Sequence, residues 1–440
     1  MHRHSLGHRY LLPVTVLAAL IPLPAHAQTA ATDSSARVSA EQQKPESFPR
    51  VEWAEHPSLR LARGTRVDFR ARFQWDVRRS DALFGDDDDV ETGALDVARR
   101  RVGIEGEILD VIDYQLEGEL QSSESWRDAY ANYKQFDVLQ VQAGKFKLPF
   151  SLDENTSATN LDFVYRSRAA ESLAPGRDVG VMLHGRLAGR RLRYEGGMFR
   201  HDGRNARIRD SERVYGGSTF AARIVALPFA RSKHLARTLH IGVATTSGEV
   251  PEGFPALRAR TVFDARYYRP DVFVSGNRRR VGIEAQWRPG PVSIKAEMIR
   301  LSQERLDQSV EDTALSPLVG SGWYVSGTWA LTGEQKASGL DNPRRPVLHG
   351  GPGAIELACR IESLRFASGS GGTDFSESPR ADDILGNRDR AVTLGVNWYL
   401  NRWFKLQFNG IHETIRDPSQ GPQPQRPSFW SRVLRFQLTI

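Results

Sequence analysis

A single cysteine, Cys359, occurs in 440 residues, which excludes an internal disulfide framework and any metal site built from several thiolates. Long apolar runs are missing as well. Beyond the first 25 residues none approaches the ~20 residues that a spanning helix needs, so a helical membrane protein is excluded. No H-E-x-x-H or G-x-S-x-G motif and no glycine-rich phosphate loop occurs, and no catalytic Ser/His or Asp/His set can be assembled. No enzyme reaction, no cofactor and no nucleic-acid partner is expected. Lysine is scarce too, with 8 of the 60 basic residues against 52 arginines. What the chain does carry is 40 aromatics (20 Phe, 11 Tyr, 9 Trp), too many for a solvated, disordered polymer. Its net charge is +7.

The N-terminus sets the compartment. In residues 1–27, Arg3 and Arg9 precede an apolar stretch from Leu11 to Leu23, and Ala25-His26-Ala27 forms a small-x-small cleavage site. An anchoring helix is the alternative, but the stretch is short and holds Pro13, Pro22 and Pro24. Export with cleavage is therefore expected, which removes two arginines and leaves the mature chain at +5. Residues 28–63, polar and carrying Pro45 and Pro49, read as a mobile lead-in segment.

From residue 64 onward the pattern is period two, the signature of strands with one apolar face. In 64–76, Val67, Phe69, Ala71, Phe73 and Trp75 share a face opposite Arg66, Asp68, Arg70, Arg72 and Gln74. The alternation recurs to the last segment, where Trp430, Leu434, Phe436, Leu438 and Ile440 oppose Arg435, Gln437 and Thr439. A spanning barrel alternates short turns with longer external loops and contains an even strand number. Residues 259–268 could be one more strand. Treating 247–278 as one external loop keeps the tight Pro289-Gly290 turn on the inner side and gives sixteen strands. The expectation is an all-β chain, with residues 64–440 forming a transmembrane antiparallel β-barrel of the bacterial outer membrane.

Residues 144–181 read GKFKLPFSLDENTSATNLDFVYRSRAAESLAPGRDVGV: G-x-F-x-x-P-F, a Leu-acid pair, a Thr-Ser, a basic segment, then P-G-R-D-x-G. This resembles the phosphate-selective porin O and P family of outer-membrane channels. Two later stretches, Gly353 to Ala358 and Asn397 to Asn401, are similar to it as well. The resemblance implies a sixteen-stranded homotrimer selective for inorganic anions such as phosphate, with a third external loop folded into the lumen. By strand count the third loop is 147–177.

Guanidinium groups suit phosphate because their planar fork donates two parallel hydrogen bonds. On or beside the constriction loop the candidates are Lys145, Lys147, Arg166, Arg168 and Arg177; Lys145 falls on the apolar face of Leu139 and Val141 and reaches the rim only from the strand's end. Pore-wall candidates from parity include Arg66, Arg70, Arg72, Arg191, Arg193, Lys405 and Arg435. Parity places fourteen cations and eleven carboxylates on the wall, so a general or sugar-type diffusion porin is the alternative. Outer-membrane lipid and lipopolysaccharide are the expected surroundings. Asp86 to Asp89 reads as a solvated charge run, with a divalent cation shared with lipopolysaccharide as the sharper reading. Cys359, on the apolar face with Ile355, Leu357 and Ile361, reads as lipid-facing or packed rather than reactive, and His184 as a hydrogen-bonded wall residue.

Overall fold

The computed structural model describes residues 48–53, 56–82, 95–120, 126–206, 216–268, 272–336, 340, 342–368, 380, 382, 384–417 and 426–440. The expected export signal and the Asp86–Asp89 run lie outside the described residues.

Two short strands precede the barrel. β1 (Arg50–Trp53) and β2 (Pro57–Ala62) form a hairpin whose second arm pairs with the start of β3 (Thr65–Ser80). The lead-in is therefore partly strand, contrary to the sequence expectation. Its alternation amounts to Leu59 and Leu61, too brief to stand out from a polar segment, and the pairing is supplied by β3.

The barrel continues through β4 (Leu95–Ile108), β5 (Ile112–Glu119), β6 (Trp126–Phe136), β7 (Leu139–Lys147), β8 (Arg177–Leu187), β9 (Leu192–Phe199), β10 (Thr219–Ala226) and β11 (His240–Pro255). A separate ribbon, β12 (Ala259–Arg260) with β13 (Arg266–Tyr268), lies in the loop that follows. The barrel resumes with β14 (Phe273–Trp287), β15 (Val292–Arg305), β16 (Leu315–Ala330), β17 (Ala354–Ser368), β18 (Asn387–Tyr399), β19 (Phe404–Ile415) and β20 (Ser428–Thr439). Closure comes from β20 pairing antiparallel with β3, from Ser431 opposite Ser80 to Thr439 opposite Arg72. Ile440 exchanges two 2.9 Å backbone hydrogen bonds with Ala71. Sixteen strands make a closed ring, and 259–268 is not among them.

Burial is inverted relative to a water-soluble protein. Along β18 the apolar Val392, Leu394 and Val396 are exposed, while Asp389, Thr393 and Asn397 are buried. Lipid offers no hydrogen-bond partners, so along the middle of the strands polar side chains turn into the lumen and backbone groups into the strand ladder.

The largest apolar cluster lies inside the barrel on one side, and a smaller one (Phe146, Leu148, Met182, Phe199, Ala221) lies on β7–β10. The third loop (148–176) carries two short helices, α1 (Leu152–Asn155) and α2 (Arg168–Leu173), capped by the Ser151 and Ser167 hydroxyls. Phe150, Ala169 and Leu173 pack on Ile299, Leu301, Leu318, Leu364 and Phe366 of the inner wall. Tyr267 and Tyr268 join the same cluster, so the loop bearing β12 and β13 folds inward as well. From the short-turn end, Lys336 of the 331–353 connection reaches Asp162 of the third loop at 3.1 Å.

Candidate anion-conducting site

The third loop is tied to the wall of β14–β20 by the polar residues that parity turns inward. Glu297 accepts the backbone N–H groups of Leu152 (3.0 Å) and Asp153 (3.2 Å). Asn409 accepts from Val164 N–H at 2.8 Å, and Arg280 Nε donates to the Leu173 carbonyl at 2.6 Å. Lys405 Nζ donates to the Leu161 carbonyl at 2.9 Å, and Lys295 pairs with Asp162 at 2.6 Å. Arg435 grips Asp76 through two 2.6 Å bonds and donates to the Val164 carbonyl at 2.8 Å. One side of the lumen is filled by loop.

The other side stays open. Between the third loop and β3–β8 lies a cavity of about 500 Å³. Nine cations border it: Arg70, Arg72, Arg99, Arg101, Arg127, Lys147, Arg166, Arg177 and Arg204. Four carboxylates border it with them: Glu117, Asp128, Glu154 and Glu171. A second cavity of about 620 Å³ toward the short-turn end shares Arg70 and Ser157 with the first and reaches Lys405, Arg402 and the chain terminus. Together they trace a route along the uncovered wall.

Ion pairing divides these cations. Arg177 makes a bidentate contact with Asp128 at 3.0 and 2.8 Å, and Arg101 meets Glu119 at 2.8 Å and Glu117 at 3.3 Å. Arg70 pairs with Glu105 at 2.6 Å, and Arg72 stands 3.6 Å from Glu117. Arg99 donates to the Gln74 side-chain oxygen. Among the described residues neither Arg99 nor Arg127 has a carboxylate within ion-pair distance. On the loop, burial would raise the Glu154 carboxyl, yet Arg204, Arg166 and Lys147 hold it down at about 2.

Of the constriction candidates, Lys147, Arg166 and Arg177 meet at the larger charge cluster. Lys147 donates to the Glu154 and Thr156 carbonyls, and Arg166 to those of Asp153 and Thr156, so both also brace the loop. Arg168 does not border the cavity. It is buried behind the loop, its side chain donating to the Thr261 carbonyl at 2.9 Å and its backbone N–H to Glu362. The inward fold of the 256–272 loop covers it, which local composition could not show. Lys145 stays outside the cavity lining as well.

The wall candidates also separate. Arg70 and Arg72 line the cavity. Arg435 and Lys405 clamp the loop instead, Lys405 also bordering the lower cavity. Arg66 sits between Asp68 (3.1 Å) and Glu107 (3.7 Å), and Arg193 lies 3.4 Å from Glu195. Arg191 is exposed in the turn before β9. His184 is hydrogen-bonded to Asn132 at 2.9 Å, and Cys359 is exposed on the outer face.

Three cavity cations escaped the sequence reading. Arg99 and Arg127 sit at register shifts: Gln74 pairs with Arg99 but Trp75 with Val97, and Glu117 pairs with Asp128 but Gly118 with Trp126. Arg127 is itself the inserted residue, so strand parity does not give its direction, whereas Arg99 keeps the inward parity of Arg101 and falls just beside the bulged Ala98. Arg204 comes from a loop, where no parity exists. It donates to the Ala170 carbonyl at 2.8 Å and meets Glu154 and Glu171 at 3.3 Å each.

The P-G-R-D-x-G run has a local rationale. Gly176 adopts φ +80°, Arg177 binds Asp128, and Asp178 accepts the backbone N–H groups of His201 (3.0 Å) and Gly203 (3.1 Å). At Gly203, φ is +56° and a Cβ would lie 2.2 Å from the Pro175 carbonyl oxygen. That close approach delivers Arg204 to the third loop.

No curated protein sequence matches the chain. Among solved structures it is similar to OmpT of Vibrio cholerae, folded in vitro and in trimer form. The TM-score is 0.52 at 11% identity, covering 86% of this chain and 100% of that one. The loop L8 deletion mutant of OmpT gives 0.51 at 11% identity over the same shares. OprB of Pseudomonas putida gives 0.50 at 12% identity, covering 85% of this chain and 94% of that one. At such identities the likeness is one of fold, that of outer-membrane barrels. The family model for phosphate-selective porin O and P matches residues 67–440. From its first barrel strand to its last residue, the chain belongs to the phosphate-selective porin O and P family.

Proposed function

We propose that this outer-membrane porin is a passive, anion-selective channel for phosphate or polyphosphate-like anions. The observation that carries the reading is the excess of nine cations over four carboxylates around one lumen cavity. A permeant anion exchanges part of its hydration for such groups, and a series of moderate sites lets it leave again. Arg99 and Arg127 are the cations best placed to act on it, since their charge is not cancelled at contact distance. Lys147, Arg166, Arg177, Arg70 and Arg72 shape the same passage.

Recordings from single channels in planar bilayers test this. An anion-directed reversal potential, with chloride current reduced by added phosphate, is the expected result; cation preference, or no pore, overturns it. A second reading, a general or sugar-type diffusion porin, draws on the carboxylates that neutralise Arg101, Arg177 and Arg435. Chloride current insensitive to phosphate selects that reading.

Assembly as a homotrimer and export with cleavage after Ala27 complete the proposal. The trimer form of OmpT supports the first, and the A-x-A pattern the second. Mass measurement of the native detergent complex and N-terminal sequencing of the mature chain check them.

A further inference from the structure

The outward face of β16–β19 departs from a plain lipid-facing wall. Arg365 of β17 lies opposite Arg388 of β18, and Arg390 stands two residues further along β18 on the same face. Arg416 joins them, its backbone N–H donating 2.9 Å to the Arg388 carbonyl. The charges of Arg365, Arg390 and Arg416 all act on Arg388. None of the four has a carboxylate partner among the described residues. Three of them border a cavity of about 580 Å³. The one carboxylate beside it, Glu362, turns inward onto Arg360 and the backbone of Arg168.

Below this cluster the same face opens into a groove of about 750 Å³, apolar apart from Arg432, which pairs with Asp81 at 3.3 Å. The strands run without a break from one to the other. Ile361 and Cys359 are successive outward residues of β17, as are Val392 and Leu394 of β18 and His412 and Gly410 of β19. The groove exists because small residues sit between large ones. A Cβ at outward-facing Gly327 would meet only one atom, at 3.9 Å. Trp329, Phe408 and Trp430 form the walls.

Four clustered guanidinium groups without counter-ions are costly beside hydrocarbon unless an anion reaches them. The cluster lies at the long-loop end, which in this barrel class is the outer-leaflet end. We infer that the face of β16–β19 is a binding site for a phosphorylated glycolipid of the outer leaflet. Its phosphates lie on Arg365, Arg388 and Arg390, and an acyl chain lies in the groove floored by Gly327 and Cys359. The shape and the charge order, cationic above and apolar below, match an anionic amphiphile. A free phosphate would leave the groove empty. The inference uses the outer-membrane location and is independent of pore selectivity.

The test uses the folded full-length protein in detergent, incubated with lipid A bearing two phosphates and then repurified, with retained lipid quantified by mass spectrometry. Wild type is expected to retain bisphosphorylated lipid A and to release the dephosphorylated form. The triple variant Arg365→Gln, Arg388→Gln, Arg390→Gln is expected to retain about tenfold less. Its single-channel conductance matches wild type, because all three side chains face away from the lumen. Gly327→Trp, which fills the groove and spares the arginines, is expected to lower retention too. Equal retention of dephosphorylated lipid by wild type, which needs no variant to fold, overturns the site. Displacement of bound lipid by millimolar inorganic phosphate alone overturns the lipid assignment. Loss of anion selectivity in wild type bears only on the pore.

Discussion

Arg99 and Arg127, like Lys147, differ from the other cavity cations in one respect: among the described residues no carboxylate lies at ion-pair distance to cancel their fields, and unlike Lys147 they do not brace the third loop. Arg168, with a stronger motif context, is enclosed by the third loop and the 256–272 loop. Replacing Arg99 and Arg127 together by Ala is expected to cut the anion-over-cation permeability ratio about thirtyfold, since each unit charge acting over ~8 Å at an effective dielectric of ~40 contributes ~1 kcal/mol and the two add. Arg168→Ala is expected to leave that ratio unchanged. Reversal potentials in a salt gradient separate the two, and an unchanged ratio in the double variant removes both arginines from the permeation path. Glu154 offers a pH probe. Its folded value near 2 lies below the ordinary 4.5, so its stabilising contribution is complete above about pH 5 and drains away as pH falls toward 2. The melting-temperature gap between wild type and Glu154→Gln is expected to be constant at neutral pH and to close in acid. A gap that persists at pH ~2 contradicts the pairing of Glu154 with Arg204, Arg166 and Lys147.

Elements in this barrel hold their places through polar side chains that alternation turns inward. The third loop has almost no regular structure of its own; wall residues such as Glu297, Asn409, Lys405 and Arg435 accept or donate to its backbone. Removing one partner of a buried ion pair costs about 3–5 kcal/mol, because the other charge is left without solvent. Arg435→Met isolates Asp76, which is nearly fully buried, and frees the Val164 carbonyl. Lower stability to denaturant and faster proteolysis within the third loop are the expected outcomes. If the loop stays resistant, Arg435 is not one of its anchors. Gly203→Ala tests the next loop: a Cβ forced against Pro175 displaces Arg204. Noisier single-channel conductance is expected, and a quiet trace argues that Arg204 does not brace the constriction. The period-two pattern made the strands themselves legible, because each one meets lipid on one face and water or loop on the other. Bulges were not legible: one extra residue at Ala98 or Arg127 changes side-chain direction without changing composition. Neither was the β1–β2 hairpin, which depends on β3 for its partner.

At the scale of the molecule, closure is a cooperative requirement, since every unpaired edge in lipid leaves a row of unsatisfied backbone groups. Deleting 431–440 removes all the pairing between β20 and β3. No heat-modifiable species is then expected on unboiled gels, whereas wild type migrates differently before and after boiling. A truncated chain that still shows the mobility shift would mean that β19 can close on β3. The even strand count, the inward third loop and the outer-membrane address follow from alternation, loop lengths and one motif, all of them local in the chain. Which arginines share a cavity is not local. The nine cations come from β3, β4, β6, β7, β8 and two loops, brought together only when the sheet closes and the loops lie against one wall. Composition could say that the lumen is polar and nearly balanced in charge. Tertiary structure decided the balance, burying many carboxylates and their partners beneath the loops and leaving the excess cations beside the open half of the lumen.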